Sequence, residues 1–191
     1  MKPTTSVTSF SLKSGPVRVV LLGAESTGKT TLCRALAAAY STVWVPEYGR
    51  QLREEKNGDI SFADHLRIAQ RHLEVEDELA IEARRFLFVD TNAVTTSLYS
   101  YYYYQACDPR LLELVRACRA RYAYTIVCQP SFPFQADGWR GPEALRSVQQ
   151  GTTLMQLDLL GIPYTCVDGS VAERVRQVRA VLGKGRGSYE L

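Results

Sequence analysis

A chain of 191 residues is long enough to form one domain with a buried core. Its 23% charged and 46% hydrophobic residues are ordinary for a soluble globular protein, and no uninterrupted apolar run is long enough to cross a bilayer. The net charge of +3 suits a small anionic ligand and does not demand nucleic acid. We therefore expect a protein that binds small molecules and that binds neither nucleic acid nor membranes.

The cysteines argue against a zinc or redox site. The chain has 5 of them, without a C-x-x-C pair, and His65 and His72 lie too far from any cysteine to suggest a zinc finger. This usage fits a reduced, cytoplasmic location. Cys128 and Cys166 stand within apolar runs, where we predict small core residues.

Short runs of β-branched and aromatic residues, nearly free of charge, predict buried strands. These runs are residues 17–22, 42–45, 86–90, 124–128 and 164–168. Their near-continuous apolarity is typical of a parallel sheet that is covered on both faces. Helical patterns lie between them, so the sequence predicts a three-layer α/β/α domain.

Two of the predicted helices have clear boundaries. Ser61 and Asp64 form a capping-box pattern at the start of one, and the other runs from Pro142 to a stop at Gly161. The apolar stripe of the first is Phe62, Leu66, Ala69, Leu73, Ala80 and Ala83, with charges expected on its other face. The stripe of the second is Leu145, Val148, Met155 and Leu159.

Further helices are predicted over residues 31–40, 109–122 and 171–182. The arginines of the 109–122 helix lack the clustering of a nucleic-acid stripe, so we expect a solvated face. We divide the chain into a flexible N-terminal tail (1–15), one domain (16–183) and a flexible C-terminal tail (184–191).

The stretch GAESTGKTT contains the pattern G-x-x-x-x-G-K-[ST], and it follows a predicted strand and opens a predicted helix. In this context the pattern predicts a phosphate-binding loop, in which backbone amides and the helix N-terminus face a nucleoside triphosphate. Lys29 is expected to reach the β- and γ-phosphates of ATP, and Thr30 to bind Mg²⁺. The predicted nucleotide-binding set is Gly23, Ser26, Thr27, Gly28, Lys29, Thr30 and Thr31. Glu25 and Ser26 fill variable positions, and we assign their side chains no chemistry.

The stretch VPEYGR follows the second predicted strand, at the edge of the sheet where ligands bind in α/β folds. Glu47 is predicted to orient an acceptor hydroxyl or accept its proton. Tyr48 and Arg50 are predicted substrate contacts, although packing and surface positions are the alternatives. Pro46 and Gly49 predict a stiff turn with an unusual backbone at Gly49.

Two more segments complete a kinase-like set. Asp90 is the last residue of the third predicted strand, which is the position of a Walker-B-type acid that holds Mg²⁺. The alternative is that Asp90 caps the next helix. Arg140 and Arg146 lie in a turn bracketed by glycine and proline, and we predict that this helical lid closes them over the phosphates. A solvated basic face is the other interpretation. Some of the tyrosines in 99–104 are expected to line an acceptor pocket.

Other uses of the phosphate loop are less consistent with the sequence. A signalling GTPase needs an [NT]-K-x-D element that the chain lacks, and a motor ATPase normally needs a longer chain. A sensor or binding module that holds the nucleotide without transferring phosphate remains open. A kinase for another nucleoside or sugar remains open as well.

Taken together, GAESTGKTT, PEYGR, FVDTNAVTT and DGWR resemble the nicotinamide-riboside kinase domain of bacterial NAD-biosynthesis regulators. The resemblance implies a P-loop kinase with strand order 2-3-1-4-5 that uses ATP and Mg²⁺ to phosphorylate the 5′-hydroxyl of nicotinamide riboside. It implies that Glu47 is the acceptor-side carboxylate, Asp90 the strand-end acid and Arg140 the lid arginine. It also implies that the loop around Gly169 passes near the adenine. Asn92 stands where the family often has a second acid, near the metal or the ribose.

Overall fold

The structure is a computed structural model that describes residues 15–131 and 144–184. The strands are β1 (Val17–Leu22), β2 (Trp44–Val45), β3 (Phe86–Asp90), β4 (Tyr124–Cys128) and β5 (Thr165–Val167). The helices are α1 (Lys29–Tyr40), α2 (Tyr48–Glu55), α3 (Phe62–Glu82), α4 (Ala93–Tyr104), α5 (Pro109–Arg121), α6 (Ala144–Leu159) and α7 (Val171–Lys184). None of these helices is long and apolar enough to cross a membrane.

The strands form one parallel sheet in the order β2-β3-β1-β4-β5, which confirms the predicted order. In the centre, Val19 of β1 lies beside Phe88 of β3 on one side and Tyr124 of β4 on the other. Because β1 and β3 are adjacent and parallel, the loop after Leu22 and the acid at Asp90 lie at the same edge of the sheet. The topology alone therefore brings together the two segments predicted to hold a phosphate and a metal.

Each face of the sheet is covered by helices, as the apolar strands predicted. Alternate residues of β1 point to opposite sides, with Val20 and Leu22 in one cluster and Val19 and Leu21 in the other. The first cluster includes residues of α3, α4, α5 and α6, and the second includes residues of α1 and α7. Every residue of β3 is buried. The sheet is therefore packed between two layers of helices.

The predicted charged face of α3 is wrong in part, because four of its polar residues are buried: Asp64, His65, His72 and Glu76. The Glu76 carboxylate is fully buried and forms 2.8 Å ion pairs with Arg18 and Arg121. It also accepts a hydrogen bond from the Tyr122 hydroxyl at 2.8 Å. The prediction of a solvated face for the 109–122 helix is therefore wrong in part, since Arg121 forms an ion pair with the buried Glu76. The capping box at Ser61 and Asp64 is present.

The predicted apolar stripe of α6 is on the wrong side of the helix. Val148, Met155 and Leu159 are exposed. The buried side is instead a mostly polar row, formed by Arg146, Gln150, Thr153 and Leu157. Arg146 and Gln150 of this row bind peptide groups of the phosphate loop, whereas Leu157 lies in the first hydrophobic cluster. The helix ends at Leu159, two residues before the predicted stop at Gly161, whose φ is +61°, and the predicted start at Pro142 lies outside the described residues.

Two other local predictions need correction. Cys166 is exposed, because β5 is an edge strand with only β4 as a neighbour, whereas Cys128 is buried as expected. Gly49 lies in the first turn of α2 and is not among the described residues with positive φ. The predicted turn after Glu47 is thus a helix start. The two predicted tails lie outside the described residues except for Gly15 and Lys184.

Candidate active site

The phosphate loop connects the end of β1 to the start of α1. Gly23 has a φ of +135°, and a Cβ there would meet the Cys128 carbonyl oxygen at 2.6 Å, so only glycine fits. Gly28 has a φ of +80° and lies directly before Lys29, the first residue of α1. The first amides of a helix have no partner within it, which makes them donors for a phosphate. The backbone therefore has the form expected of a nucleotide cradle.

Lys29, Thr30 and Asp90 form a charged group beneath this loop. The Lys29 ammonium donates to the carbonyl oxygens of Gly23 and Ala24 at 3.0 and 2.8 Å, which keeps its charge inside the loop. The Thr30 hydroxyl donates to Oδ2 of Asp90 at 2.5 Å. Burial raises the pKa of Asp90, and the charge of Lys29 opposes that shift. The structure thus brings together the two residues that were predicted to bind Mg²⁺.

The Asp90–Thr30 pair fits a magnesium ion. Oδ1 of Asp90 is buried and has no hydrogen-bond partner among the described residues, although buried polar atoms normally have one. Carboxylate and hydroxyl oxygens are ligands that Mg²⁺ accepts, and this ion usually completes its shell with phosphate oxygens and water. Within residues 15–131 and 144–184, no group of three or more His, Cys, Asp or Glu side chains is arranged to hold a metal by itself.

Helix α6 holds the phosphate loop from outside. Oε1 of Gln150 accepts from the Ala24 amide at 2.9 Å, and Oε1 of Gln149 accepts from the Glu25 amide at 3.1 Å. The Arg146 guanidinium donates to the Ser26 carbonyl at 2.7 Å and is 8% exposed. Arg146 therefore packs against the loop rather than extending from a lid as predicted, because it lies on the buried polar row of α6. Arg140 lies outside the described residues.

Arg174 of α7 is fully buried and was not predicted to have a role. Its guanidinium donates to the backbone carbonyls of Thr27, Gln129 and Gly169 at 2.5, 2.8 and 2.9 Å. It therefore ties the phosphate loop to the segments that follow β4 and β5. Gly169 has a φ of +85° and a backbone role in this network. Nothing in the sequence distinguishes Arg174 from its neighbouring arginines, because its role depends on carbonyls from three distant segments.

A cavity of about 580 Å³ opens beside the phosphate loop. Besides the loop, its walls are supplied by α2, α3, the start of α4 and Val171 of α7. Of the predicted site residues, it is lined by Ser26, Thr27, Gly28, Lys29, Thr30, Thr31, Glu47, Arg50 and Asn92. Gly23, Tyr48, Asp90, Arg146 and Gly169 are not among the lining residues. The position of Tyr48 therefore does not support the predicted contact with a substrate. From the loop around Gly169, the cavity is lined by the nearby Val171 rather than by Gly169 itself.

Glu47 precedes α2 and lines the same cavity as the phosphate loop. Burial and then the negative charge of Asp90 raise the pKa of its carboxyl group, while Lys29, Arg50 and Arg53 oppose this shift. A carboxylate with a raised pKa is a better proton acceptor than an exposed one. At this position it can accept a hydrogen bond from a hydroxyl group that binds in the same cavity.

Asn92 caps helix α4, since its Oδ1 accepts from the Val94 amide at 3.0 Å. The capping alternative that we considered for Asp90 thus applies to the residue two positions later. We expect Asn92→Ala to lower the free energy of unfolding by about 1 kcal/mol. Asn92→Asp should leave it nearly unchanged, because aspartate caps helices equally well. Chemical denaturation of the three proteins measures this, and equal losses in both variants would contradict the capping role.

Several cavity residues were not assigned a role from the sequence, and His72, Glu25 and Tyr99 are three of them. His72 lies on α3, is 5% exposed, and burial lowers its pKa to about 4, so its ring is neutral. Glu25 and Tyr99 also line the cavity, and the Tyr99 hydroxyl donates to Oε1 of Glu25 at 2.9 Å. The tyrosine run predicted that some rings would line a pocket, but it did not indicate which ones. Tyr101 to Tyr104 are each at least 38% exposed.

Comparison with known proteins gives three kinds of match. The sequence profile of a family described as an AAA domain matches residues 18–174. The trifunctional NAD biosynthesis/regulator protein NadR of Escherichia coli (strain K12) is 29% identical over 179 residues, which are 88% of this chain. The protein of the same name from Salmonella typhimurium (strain LT2) is 29% identical over 177 residues. In each case this chain spans only 43% of the relative's length.

Solved structures show the same fold. A NadR protein in complex with NR has a TM-score of 0.68 at 20% identity, covering 88% of this chain and 52% of that one. A NadR protein in complex with NAD and AMP-PNP has a TM-score of 0.69 at 21% identity, covering 92% and 51%. Thymidylate kinase from Candida albicans has a TM-score of 0.65 at 14% identity, covering 90% and 93%. The fold is that of P-loop kinases, and the resemblance inferred from the four motifs is confirmed.

Proposed function

The chain belongs to this AAA-domain family, and we propose that it is an ATP-dependent kinase that phosphorylates the 5′-hydroxyl of nicotinamide riboside. The observation that carries the proposal is Glu47, a carboxylate that lines the same cavity as the phosphate loop without belonging to that loop. A protein that only binds a nucleotide does not need an acid at that position. The proposal applies to residues 16–183 as one kinase domain.

The donor end of the cavity is formed by the phosphate loop. Amides at the start of α1 bind phosphate oxygens, and Lys29 moves its ammonium from the Gly23 and Ala24 carbonyls to the β- and γ-phosphates. Thr30 and Asp90 would hold Mg²⁺, which when bound neutralises charge on the phosphates. Arg146 keeps the loop in shape through the Ser26 carbonyl, and Arg140 is proposed as the arginine that closes over the phosphates.

At the acceptor end, Glu47 accepts a hydrogen bond from the hydroxyl and holds its oxygen toward the γ-phosphorus. The oxygen forms a bond to that phosphorus while the bond to the β–γ bridging oxygen breaks, and its electron pair stays on ADP. The hydroxyl proton passes to the Glu47 carboxylate. Positioning and charge stabilisation supply most of the rate gain, with proton transfer secondary.

The identity of the acceptor is proposed from the relatives. Both curated relatives are named for NAD biosynthesis, and one of the solved structures contains NR. Arg50 and Asn92 line the cavity and are available to contact the acceptor. The cavity volume of about 580 Å³ is in the range of sites that hold small ligands.

A panel of nucleosides tests the proposal. Purified protein with ATP and magnesium should convert nicotinamide riboside to nicotinamide mononucleotide, with one ADP formed per phosphorylated product. Chromatography should quantify both products for nicotinamide riboside, adenosine, uridine and thymidine. Product from another nucleoside alone would support kinase activity but contradict nicotinamide riboside as the acceptor. ADP without any phosphorylated nucleoside would contradict the proposed kinase activity and favour a sensor that hydrolyses ATP slowly.

A further inference from the structure

Arg174 of α7 is fully buried, which is rare for an arginine because burying a charge costs free energy unless polar groups surround it. Its guanidinium donates to backbone carbonyls from each of its nitrogens. Nε donates to Gly169 at 2.9 Å, Nη1 to Thr27 at 2.5 Å and Nη2 to Gln129 at 2.8 Å. Nη2 also donates to the Ser131 hydroxyl at 3.2 Å. The side chain therefore joins segments that are distant in sequence.

The segments that this guanidinium joins all follow strands of the parallel sheet. Thr27 belongs to the phosphate loop after β1, Gln129 directly follows β4, and Gly169 lies two residues after β5. In the sheet, β4 and β5 are on one side of β1. Asp90 ends β3 and Glu47 follows β2, and these strands are on the other side of β1. The guanidinium therefore binds the half of this edge that runs from the phosphate loop away from the two acids.

The chemistry of phosphoryl transfer indicates what binds on that half. The attacking and the leaving oxygen lie roughly in line, on opposite sides of the γ-phosphorus. In the proposed reaction the acceptor hydroxyl is held by Glu47, on the β2 side of the phosphate loop, so the leaving ADP extends toward β4 and β5. Val171, two residues after Gly169, lines the cavity from α7. We therefore expect the nucleoside of ATP to lie beside the segments that Arg174 binds.

An arginine suits this position for a geometric reason. Its planar guanidinium presents five N–H donors in fixed directions, whereas the donors of a lysine share a single nitrogen. The rigid group sets how the phosphate loop lies relative to the ends of β4 and β5 before any nucleotide binds. A site that is already ordered loses less entropy when its ligand binds.

We propose that Arg174 is the positioning residue for the nucleoside of the phosphate donor. By fixing the segments after β4 and β5 to the phosphate loop, it lets the nucleoside and the triphosphate of ATP bind together. ATP then binds more tightly than a triphosphate chain that has no nucleoside. The inference rests on the proposed use of ATP by this domain, and it does not depend on which nucleoside is the acceptor.

The test compares ATP with tripolyphosphate, which lacks the nucleoside. Calorimetric titration of the full chain should show that the wild type binds ATP more tightly. Arg174→Lys keeps the charge but cannot replace the hydrogen bonds from separate nitrogens, so ATP binding should weaken about 5- to 150-fold, the usual range for coupling between two sites. Tripolyphosphate binding should stay within about threefold of the wild-type value, because the phosphate loop keeps its own amides and Lys29.

Arg176→Lys is the matched control, because the same change is made on the same helix at a side chain that is 69% exposed. Both affinities should stay within about twofold of the wild-type values. Ser131→Ala is a milder test, since it removes one partner of Arg174 at an exposed position. It should lower the ratio of ATP affinity to tripolyphosphate affinity about 2- to 10-fold. Thermal unfolding of each variant checks that it is folded.

Equal losses of affinity for both ligands in Arg174→Lys would overturn the inference, because the residue would then support only the phosphate loop. An unchanged affinity ratio in that variant would overturn it too. If Arg174→Lys does not fold, an unchanged ratio in Ser131→Ala has the same meaning. A wild type that binds ATP no more tightly than tripolyphosphate also contradicts the inference. Failure to bind either ligand would contradict the proposed function as well, whereas the expected ratios without any phosphorylated nucleoside would contradict only the proposed reaction.

Discussion

Glu47→Gln should lower kcat about 10²- to 10⁴-fold while leaving ATP binding nearly intact. The glutamine keeps the size of the side chain but can neither accept the hydroxyl proton nor attract the hydroxyl as strongly. Glu47 lines the cavity and does not belong to the phosphate loop, so the loop should still bind ATP. Steady-state kinetics with the acceptor identified by the nucleoside panel, together with calorimetric titration of a non-hydrolysable ATP analogue, measure both quantities.

Glu55→Gln provides the control for this prediction. Glu55 ends the same helix α2, is exposed, and accepts a hydrogen bond from Gln51 at 2.8 Å outside the cavity. The same chemical change there should leave kcat within about twofold, since surface substitutions away from special features have small effects. If Glu47→Gln and Glu55→Gln turn over equally fast, Glu47 neither orients nor deprotonates the acceptor. A large loss of ATP affinity in Glu47→Gln would instead mean that the residue supports the phosphate loop.

The sheet could be predicted from the sequence because its strands are buried on both faces. Each residue of β3 lies in the core, so the whole run from Phe86 to Asp90 is apolar up to its last residue. That last residue is the functional one, and it is recognisable because it is charged where the strand ends. The phosphate loop is recognisable for a related reason, since Gly23 and Gly28 adopt backbone conformations that other residues rarely do. Both signals lie within one segment of the sequence and could be recognised there, although the local prediction of an unusual backbone at Gly49 was wrong.

Predictions that depend on what an element packs against were wrong for α6. A rule that places apolar residues inside selects Val148, Met155 and Leu159 of α6, yet all three are exposed. That helix packs against peptide groups of the phosphate loop, so it buries Gln150 and Arg146. Hydrophobic periodicity cannot reveal a helix whose buried face is polar.

The candidate site shows the same limit at the level of single residues. Glu47 could be proposed from the sequence because it lies in the VPEYGR motif after a strand, whereas the link between Glu25 and Tyr99 joins residues 74 positions apart. Arg174 is bound to carbonyls of three segments that the sequence does not bring together. A side chain that is identified only by its distant partners becomes visible once the topology is known.

Asp90→Asn should lower kcat about 10²- to 10³-fold without lowering the melting temperature. The amide retains an oxygen for the Thr30 hydroxyl but removes the charge that would hold Mg²⁺, so the Mg²⁺ concentration for half-maximal activity should rise. Burial raises the pKa of Asp90, which means that its charged form is less favourable in the folded protein than in the unfolded chain. Removing that charge should therefore leave the folded state equally stable or more stable.

Activity and stability should thus change in opposite directions, or stability should not change, as is common where an active site retains an unfavourable group. Magnesium-dependent kinetics and thermal unfolding of the same samples measure the two effects. Asp59→Asn, at an exposed position on the loop between α2 and α3, serves as the control and should alter neither. A marked fall in the melting temperature of Asp90→Asn would show that the carboxylate stabilises the fold through Lys29 and Thr30. Its loss of activity would then reflect a distorted phosphate loop rather than a missing metal ligand.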